Sequence, residues 1–345
     1  MARPNDLRVE CLPVAKLAEC PGEWWQTVLG VAWFGQRSLA PEHPEIPVAF
    51  TGLRNLGPGA ETCEVWRCAQ PIVSGRSGHL RYRAAPQVLF GCVEIREQSS
   101  ALLAADGSTA VQQATAEVYA EIFSALDQLG YPHLLRIWNY LPEINRETPG
   151  GERYRQFNSA RRRAFLAHGR AVESAPPAAC ALGSPAGGSL VVYFLASLTP
   201  AKTLENRRQV SAYHYPHEYG PDSPTFSRAA VTSHDLGDLL FISGTASVVG
   251  HRTVHAGDTA AQAHETMTNI AVLVDGANEL TDAGIFSMQT LQYKVYVRHP
   301  RDIRVIREVM AQRLPHDAAI TYLQADICRS DLLVEIEAAG SPVPA

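Results

Sequence analysis

The chain has 345 residues, of which 46% are hydrophobic and 19% charged, and its formal net charge is −5. This length predicts two domains of ordinary size, and the balanced, slightly acidic composition argues against a disordered tail or a general nucleic-acid binder. No run of 18 apolar residues occurs, so we expect no transmembrane helix and no membrane partner. The first 20 residues lack the apolar stretch of a secretory signal, and seven irregularly spaced cysteines suggest reduced thiols, so we predict a cytoplasmic protein.

Short strands broken by proline and glycine are predicted over the first 80 or so residues, at 46–50, 61–69 and 78–85. From residue 88 the hydrophobic pattern predicts strand, helix, strand, helix, strand, strand. These predicted elements are the strand 88–95, the helix 109–130, the strand 134–141, the helix 153–169, and the strands 178–184 and 189–197.

The same order of elements then repeats. Its members are the strand 238–247, the helix 259–280, the strand 291–297, the helix 300–314, and the strands 318–327 and 331–339. Because each helix needs a sheet to cover its apolar face, we predict an α+β fold of two tandem domains, with mixed sheets and helices packed on one face. The predicted domains are 1–198 and 199–345. The linker at 205–224 is rich in Pro, Tyr and His and is predicted to be an ordered loop, in a place that favours a binding site.

The two copies differ in their last strand. Aligning 190–193 with 332–335 places Tyr193 opposite Glu335, so that only the second copy has a carboxylate there. Glu335 and Glu337 alternate with apolar residues, which puts both carboxylates on one strand face, about 6.5 Å apart.

The second copy resembles the YjgF-like family in LLFISGTAS, the GDTAAQAHETMTNIAVLV helix, KVYVRHPRD and LLVEIEAAG. Over residues 60–340 the whole chain resembles the chorismatase family. LLRIWNYLPEIN, YRQF, HYPHEYGP, FISGTASVVGHRTVHAGD, KVYVRHPRD and DLLVEIE carry this match. The resemblance implies two YjgF-like (chorismate mutase-like) domains, one active site between them, and chorismate as the small-molecule substrate, which is cleaved to release pyruvate without a cofactor.

The resemblance also bears on the product. In this family three positions separate the branches, and here they are Gln209, Gly244 and Cys328. The hydrolytic branch prefers Val and Ala at the first two, so this chain resembles the branch that makes 3-hydroxybenzoate. Hydrolysis to a dihydroxycyclohexadiene carboxylate, or release of both 3- and 4-hydroxybenzoate, remains an alternative.

Glu335 is the predicted catalytic acid. An enol ether is cleaved by protonation of its terminal CH₂ group, and this requires a carboxylic acid that is still protonated at the working pH. Burial in an apolar cleft raises the pKa of a carboxyl group enough to allow this. The competing interpretation is a polar strand face in solvent. Glu337 is assigned to the surface or to a supporting role.

Chorismate carries two carboxylates, so the acidic chain must supply local positive charge. The resemblance assigns Arg155 and Arg161 to substrate binding, and a guanidinium suits a carboxylate because it donates to both oxygens. Tyr154 and Tyr215 are candidate hydrogen-bond donors to the substrate or, equally, core aromatics. Lys294 lies in the middle of a strand and either points into the cleft or lies on an edge face.

Other functions are less well supported. The pairs His214/His217 and His251/His255 lack the further converging ligands of a metal site, so we predict no metal. Imine deamination, as in single-domain relatives, requires an arginine in the strand before the glutamate, and 318–327 contains none. A non-catalytic metabolite-binding protein is the third alternative. A monomer is predicted, because two fused domains bury the interface that single-domain relatives bury by forming trimers.

Overall fold

The computed structural model describes residues 7–35, 37, 43–57, 61–97, 106–232, 237–282 and 284–343. Within them, the α-helices are α1 (Val14–Leu17), α2 (Gly22–Gln26), α3 (Ala110–Leu129), α4 (Arg153–Ala167), α5 (Thr259–Asn278) and α6 (Ile303–Arg313). Short 3₁₀ helices span Ala212–His214, His217–Tyr219 and Pro300–Asp302.

The strands of the described residues are numbered along the chain. They are β1 (Arg8–Pro13), β2 (Val28–Phe34), β3 (Val48–Phe50), β4 (Arg54–Asn55), β5 (Thr62–Arg67), β6 (Val73–Ser77), β7 (Leu80–Ala85), β8 (Val88–Ile95), β9 (His133–Pro142), β10 (Glu147–Thr148), β11 (Gly151–Glu152), β12 (Ala178–Ser184), β13 (Leu190–Ser197), β14 (Lys202–Leu204), β15 (Ala229–Val231), β16 (Leu240–Ala246), β17 (Val248–Val249), β18 (Arg252–Thr253), β19 (Gln292–Val297), β20 (Ile320–Gln324), β21 (Asp326–Ile327) and β22 (Val334–Gly340).

The first half of the repeat forms a seven-stranded mixed sheet in the order β21-β12-β9-β13-β8-β7-β6. Helix α3 begins at Thr109, whose side chain and that of Gln112 cap each other's backbone, and ends at Gly130 in the left-handed conformation. The apolar face of α3 packs with α4 on one face of this sheet, against residues such as Val93 and Phe194.

The second half repeats this arrangement. Its seven-stranded sheet has the order β14-β15-β16-β22-β19-β20-β4, and α5 and α6 cover one face. Asp258 caps α5 by accepting from the backbone N–H of Ala261. The predicted α+β class, with mixed sheets and helices on one face, is confirmed by both halves.

The opposite faces of the two sheets pack against each other. A single apolar cluster joins Phe90, Trp138 and Tyr193 of the first sheet to Phe241 and Tyr296 of the second. A four-stranded sheet, β1-β5-β2-β3, contributes to the same cluster, and α1 and α2 lie on its other side. Sequence patterns predicted strands in this N-terminal region but not their assembly into a separate sheet.

The halves also exchange edge strands. β4, from the N-terminal region, pairs with β20 of the second sheet, and β21, from the C-terminal half, pairs with β12 of the first. The predicted boundary at 198/199 falls between β13 and β14, which belong to different sheets. That boundary stays a prediction.

The predicted alignment of the two last strands is wrong by two residues. Tyr140 on β9 and Tyr296 on β19 face each other with hydroxyl oxygens 3.1 Å apart, and they pair with Val191 and Glu335 respectively. The Leu-Phe dipeptides of β8 and β16 give the same correspondence. Phe90 pairs with Leu195, four residues after Val191, and Phe241 pairs with Ala339, four residues after Glu335. The counterpart of Glu335 is therefore Val191 rather than Tyr193, and the difference in charge between the halves remains.

Across the described ranges, no helix combines the length and the apolar character needed to cross a bilayer.

Candidate active site

A cavity of about 600 Å³ opens where the two halves and the linker meet. Helix α4 of the first half supplies one wall, β16, β22 and the loop between β21 and β22 supply the second, and the linker supplies the third. Seven of the nine predicted site residues line it: Glu335, Cys328, Gly244, Gln209, Arg155, Tyr154 and Tyr215. The predicted loop between the halves is thus an ordered part of the cavity wall.

Glu335 lies on β22 with only 3% of its surface exposed. Burial, and next the negative charge of Glu337, raises the pKa of this carboxyl group to about 8. The competing interpretation of a solvent-exposed strand face is therefore wrong. A carboxyl group with this pKa carries its proton at neutral pH and faces the cavity, which is what a general acid requires.

Gly244 makes room for that carboxyl group. A Cβ atom at this position would lie 1.9 Å from Glu335 Oε1 and 3.0 Å from Cys180 Cβ. The pairing of β16 with β22 shifts register between Ile242 and Thr245, so the glycine lies within a strand irregularity. The absence of a side chain at this position therefore leaves space for the Glu335 carboxyl group.

Cys328 lies beside the acid, with its Sγ atom 4.0 Å from Glu335 Oε2. Burial, with a contribution from Glu335, raises the pKa of this thiol to about 12, so it is neutral at working pH. Arg298 holds the loop that carries it, by donating to the carbonyl oxygens of Ile327 and Arg329 at 2.9 Å each. Cys328 therefore presents a small, uncharged surface next to the Glu335 carboxyl group.

Gln209 and Tyr215 come from the linker. The Gln209 amide nitrogen donates to the carbonyl oxygen of Val248 at 3.0 Å, while its Oε1 is buried and accepts no hydrogen bond from any described residue. The Tyr215 hydroxyl oxygen accepts from Arg228 Nη2 at 2.7 Å. Gln209 therefore lines the cavity and carries a buried acceptor that has no partner among the described residues.

Arg228 and Arg329 also line the cavity, and sequence reasoning missed both. Arg228 is 5% exposed, and its Nε has no hydrogen-bond partner within the described ranges. The guanidinium carbon of Arg329 lies 4.0 Å from the centre of the Tyr219 ring. Neither residue belongs to a helical or strand pattern that would mark it as ligand-facing, because Arg228 lies directly before β15 and Arg329 directly after Cys328.

The two predicted arginines of α4 lie in different surroundings. Arg155 lines the main cavity, and its Nε donates to Glu152 Oε2 at 3.3 Å. Arg161 does not line it; this side chain is buried, donates to Tyr119 and Thr225, and lines a smaller cavity of about 30 Å³ that Glu335 also borders. One guanidinium nitrogen of Arg161, Nη2, is buried and unpaired in the described structure.

Tyr154 borders both cavities, and burial holds the pKa of its hydroxyl well above the ordinary value. It is therefore a neutral hydrogen-bonding group beside Cys328 and Glu335.

The structure contradicts the prediction that Lys294 binds the substrate. Its side chain is 5% exposed, and it lies neither in the cleft nor on an edge face. Its Nζ contacts Glu64 Oε2 at 2.7 Å and Glu337 Oε1 at 2.5 Å, and donates to the Tyr193 hydroxyl at 3.0 Å. Glu337 likewise is buried rather than at the surface, with 2% exposed.

Among the residues described, His79, Glu117 and Glu121 have ligand atoms close enough to share a metal ion. His79 lies on the exposed turn between β6 and β7 and the two glutamates lie on α3, and the Glu121 carboxylate already accepts from the backbone N–H of His79 at 2.9 Å. The contact between Glu121 and His79 therefore stabilises this turn, and the three residues are separate from the cavity.

Comparison with known proteins identifies the family. A family model described as chorismatase FkbO/Hyg5-like, N-terminal, matches residues 64–196. A chorismatase from Streptomyces rapamycinicus is 39% identical over 283 residues, which cover 79% of this chain and 80% of the relative. The chain belongs to the chorismatase family. A 3-hydroxybenzoate synthase from Streptomyces hygroscopicus is 41% identical over 235 residues, covering 65% of this chain and 68% of the relative.

The fold of the whole chain agrees with this membership. A crystal structure of a chorismatase at 1.08 Å resolution matches 98% of this chain and 99% of its own, with a TM-score of 0.84 and 31% identity. The resemblance inferred from sequence motifs is therefore confirmed. In this chorismatase-family enzyme the cavity at the junction of the halves is the candidate active site.

Proposed function

We propose that this enzyme converts chorismate to 3-hydroxybenzoate and pyruvate, with Glu335 as the proton donor. The observation that carries the proposal is a buried carboxylic acid with a pKa of about 8 that faces a cavity lined by arginines. Relatives named chorismatase and 3-hydroxybenzoate synthase support the substrate and the product.

The reaction begins when Glu335 protonates the terminal CH₂ group of the enolpyruvyl ether. The resulting oxocarbenium ion weakens the bond between ring carbon C3 and the ether oxygen. The C4 hydroxyl oxygen attacks C3 as this bond breaks, and pyruvate leaves with the ether oxygen as its keto group. The hydroxyl proton returns to the ionised Glu335, and the arene oxide opens to the phenol. No water is consumed, so the two products together contain all the atoms of chorismate.

The arginines suit the two carboxylates of this substrate. Arg155, Arg228 and Arg329 line the main cavity, and Arg161 presents an unpaired guanidinium nitrogen in the adjoining one. A guanidinium forms charge-assisted hydrogen bonds with carboxylates, which are about twice as strong as neutral ones. We propose that these four residues hold the substrate and that Lys294 does not.

Two residues favour internal attack over attack by water. The unused Gln209 Oε1 is an acceptor for the C4 hydroxyl of chorismate, which would orient the hydroxyl oxygen toward C3. Gly244 lets the Glu335 carboxyl lie against the strand. The hydrolytic reaction is the second candidate, and it would require water to attack the oxocarbenium carbon of the side chain, so that the ether oxygen stays on C3.

Incubation of the purified protein with chorismate, followed by chromatography, tests the proposal. Equal amounts of pyruvate and 3-hydroxybenzoate are expected. Pyruvate with a non-aromatic diene would assign the chain to the hydrolytic branch, and 4-hydroxybenzoate would indicate the mixed subgroup. Chorismate that is bound but not consumed would favour a metabolite-binding protein, and the absence of both binding and turnover would contradict the proposal altogether.

The pH dependence of kcat follows from the raised pKa of Glu335. Only the protonated acid donates, so kcat should be level below about pH 8 and fall tenfold per pH unit above it. Stopped assays of pyruvate release across pH 6–10, with enzyme stability checked at each pH, measure this. A rate that increases through pH 8 would contradict the role of Glu335 as an acid.

Replacing Arg228 should weaken substrate binding more than it slows chemistry. We expect Arg228→Gln to raise KM by about 10- to 100-fold, because a charge-assisted contact to one carboxylate is lost. Arg163→Gln, on the exposed face of α4, is the matched control and should keep the wild-type KM. Equal KM values in the two variants would remove Arg228 from the set of binding residues.

A further inference from the structure

Four buried charges form a cluster between the two sheets. Glu337 on β22 is contacted by Arg136 Nη2 and by Lys294 Nζ, each at 2.5 Å. Lys294 also contacts Glu64 at 2.7 Å. Two cations and two carboxylates therefore balance, and each of the four side chains is at most 6% exposed.

Neutral donors complete the coordination of Glu337. Trp138 Nε1 donates to its Oε1 at 2.9 Å, and the Tyr296 hydroxyl donates to the same oxygen at 3.1 Å. Burial by itself raises the pKa of Glu337, but Lys294 and Arg136 together hold it below its ordinary value. Glu337 is therefore a permanently ionised carboxylate.

Glu337 lies two residues from Glu335 on the same face of β22, so the two residues start about 6.6 Å apart along the strand, which sets the scale of the separation between their carboxyl groups. Tyr296 is the neighbour of Glu335 across the ladder, and its hydroxyl points to Glu337. Thus the donors near this pair are directed at Glu337, while the contact that the described residues give the Glu335 carboxyl is the long one from Cys328, at 4.0 Å.

We propose that this buried ion cluster holds Glu337 as an anion, and that Glu337 is a positioning residue whose fixed negative charge adds to the effect of burial and opposes ionisation of Glu335, the acid two residues away. The inference rests on the proposed role of Glu335 as the proton donor. It gives a function to a cluster that does not line the main cavity, and it explains why two carboxylates on one strand face take opposite protonation states.

Other groups that face or act on Glu335 come from all the surrounding elements. They are Tyr296 on β19, Cys180 on β12, Tyr154 on α4, Cys328 after β21, Arg136 on β9, Arg228 before β15 and Arg298 after β19. Burial raises the pKa of the two thiols and the two hydroxyls, so these groups are neutral near pH 8. The three arginines favour ionisation of Glu335, which leaves Glu337 as the leading charge that opposes it.

The direct test is the pKa of Glu335 in Glu337→Gln. Carbon-13 labelling of glutamate carboxyl groups allows an NMR titration, and the Glu335 signal is assigned by its absence in Glu335→Gln. At about 6.6 Å and an effective dielectric constant of about 20, loss of one negative charge should lower this pKa by about one to two units. The high-pH limb of the kcat profile should shift down by the same amount. An unchanged pKa would overturn the proposal.

Two further variants keep the test decisive. Glu337→Asp retains the charge, so the pKa of Glu335 should return to the wild-type value. Arg136→Met removes a positive charge that favours ionisation of Glu335, while Lys294 still holds Glu337 ionised, so the pKa of Glu335 should rise instead, and this shift opposes that of Glu337→Gln. A purely structural role predicts lower stability in all three variants without opposite shifts. If Glu337→Gln does not fold, an equal pKa of Glu335 in Arg136→Met and Glu337→Asp would contradict the inference.

The NMR titration does not require turnover. Wild-type protein that fails to consume chorismate would therefore contradict the proposed function while the titration still decides the role of Glu337. Conversely, if the enzyme is active but the pKa of Glu335 is unchanged in Glu337→Gln, the proposed function stands and the proposed role of the cluster is refuted.

Discussion

Glu335→Gln is expected to bind chorismate with nearly the wild-type Kd and to lose about 10²- to 10⁴-fold in kcat. The amide fills the same space beside Gly244 but has no acidic proton to give to carbon, and general acid catalysis contributes a factor of this size. Binding is retained because the arginines of the cavity are unchanged. Calorimetric titration with chorismate, together with single-turnover assays of pyruvate release, measures the two quantities separately.

Glu308→Gln makes the same chemical change on the exposed side of α6 and should leave kcat unchanged. Its melting temperature, compared with that of Glu335→Gln, shows whether any loss of activity reflects unfolding. A kcat for Glu335→Gln within about threefold of wild type would refute the role of this residue as the proton donor.

Gly244→Ala should have the second-largest effect. The new methyl group would lie 1.9 Å from Glu335 Oε1 and 3.0 Å from Cys180 Cβ, and β12, which carries Cys180, cannot retreat from the packed sheet. The acid must therefore move, and a shift of about 1 Å at a reacting group costs up to about 10²-fold in rate. We expect kcat to fall by about 10- to 100-fold, with part of the product appearing as the non-aromatic diene.

Gly22→Ala is the matched control, since a Cβ atom there meets nothing within 4 Å; it should leave both rate and product unchanged. The double variant Gly244→Ala with Gln209→Val removes the free acceptor as well, and it should increase the diene fraction further. If 3-hydroxybenzoate remained the sole aromatic or diene product of the double variant, the proposed reason for internal attack would be wrong.

Periodicity predicted the repeat well. The helix predicted at 109–130 is Ala110–Leu129, and the strand predicted at 88–95 is Val88–Ile95, because long amphipathic helices and buried strands leave clear patterns. The assembly of the N-terminal sheet was not predicted, since β1 pairs with β5 and β3 pairs with β2, and no described strand of the repeat takes part. Pairing between strands distant in sequence depends on tertiary contacts that a local pattern does not contain.

The candidate site was predicted where it coincided with family motifs. Gly244, Cys328 and Glu335 meet around one point, although 91 residues separate the first from the last. Lys294 was misassigned because a lysine in a strand does not reveal whether it faces a cavity or a buried carboxylate. The partner that resolves this, Glu64, lies 230 residues away in the N-terminal sheet.

The two exchanged strands link the halves of the chain in both directions. β4, from the N-terminal region, forms one edge of the second sheet, and β21, from the C-terminal half, forms one edge of the first. Neither half produced alone would have both its sheet edge and its apolar inner face covered, so each should aggregate when expressed separately. The two fragments, made together in one cell, should instead associate during folding and restore activity, because each supplies the strand that the other lacks.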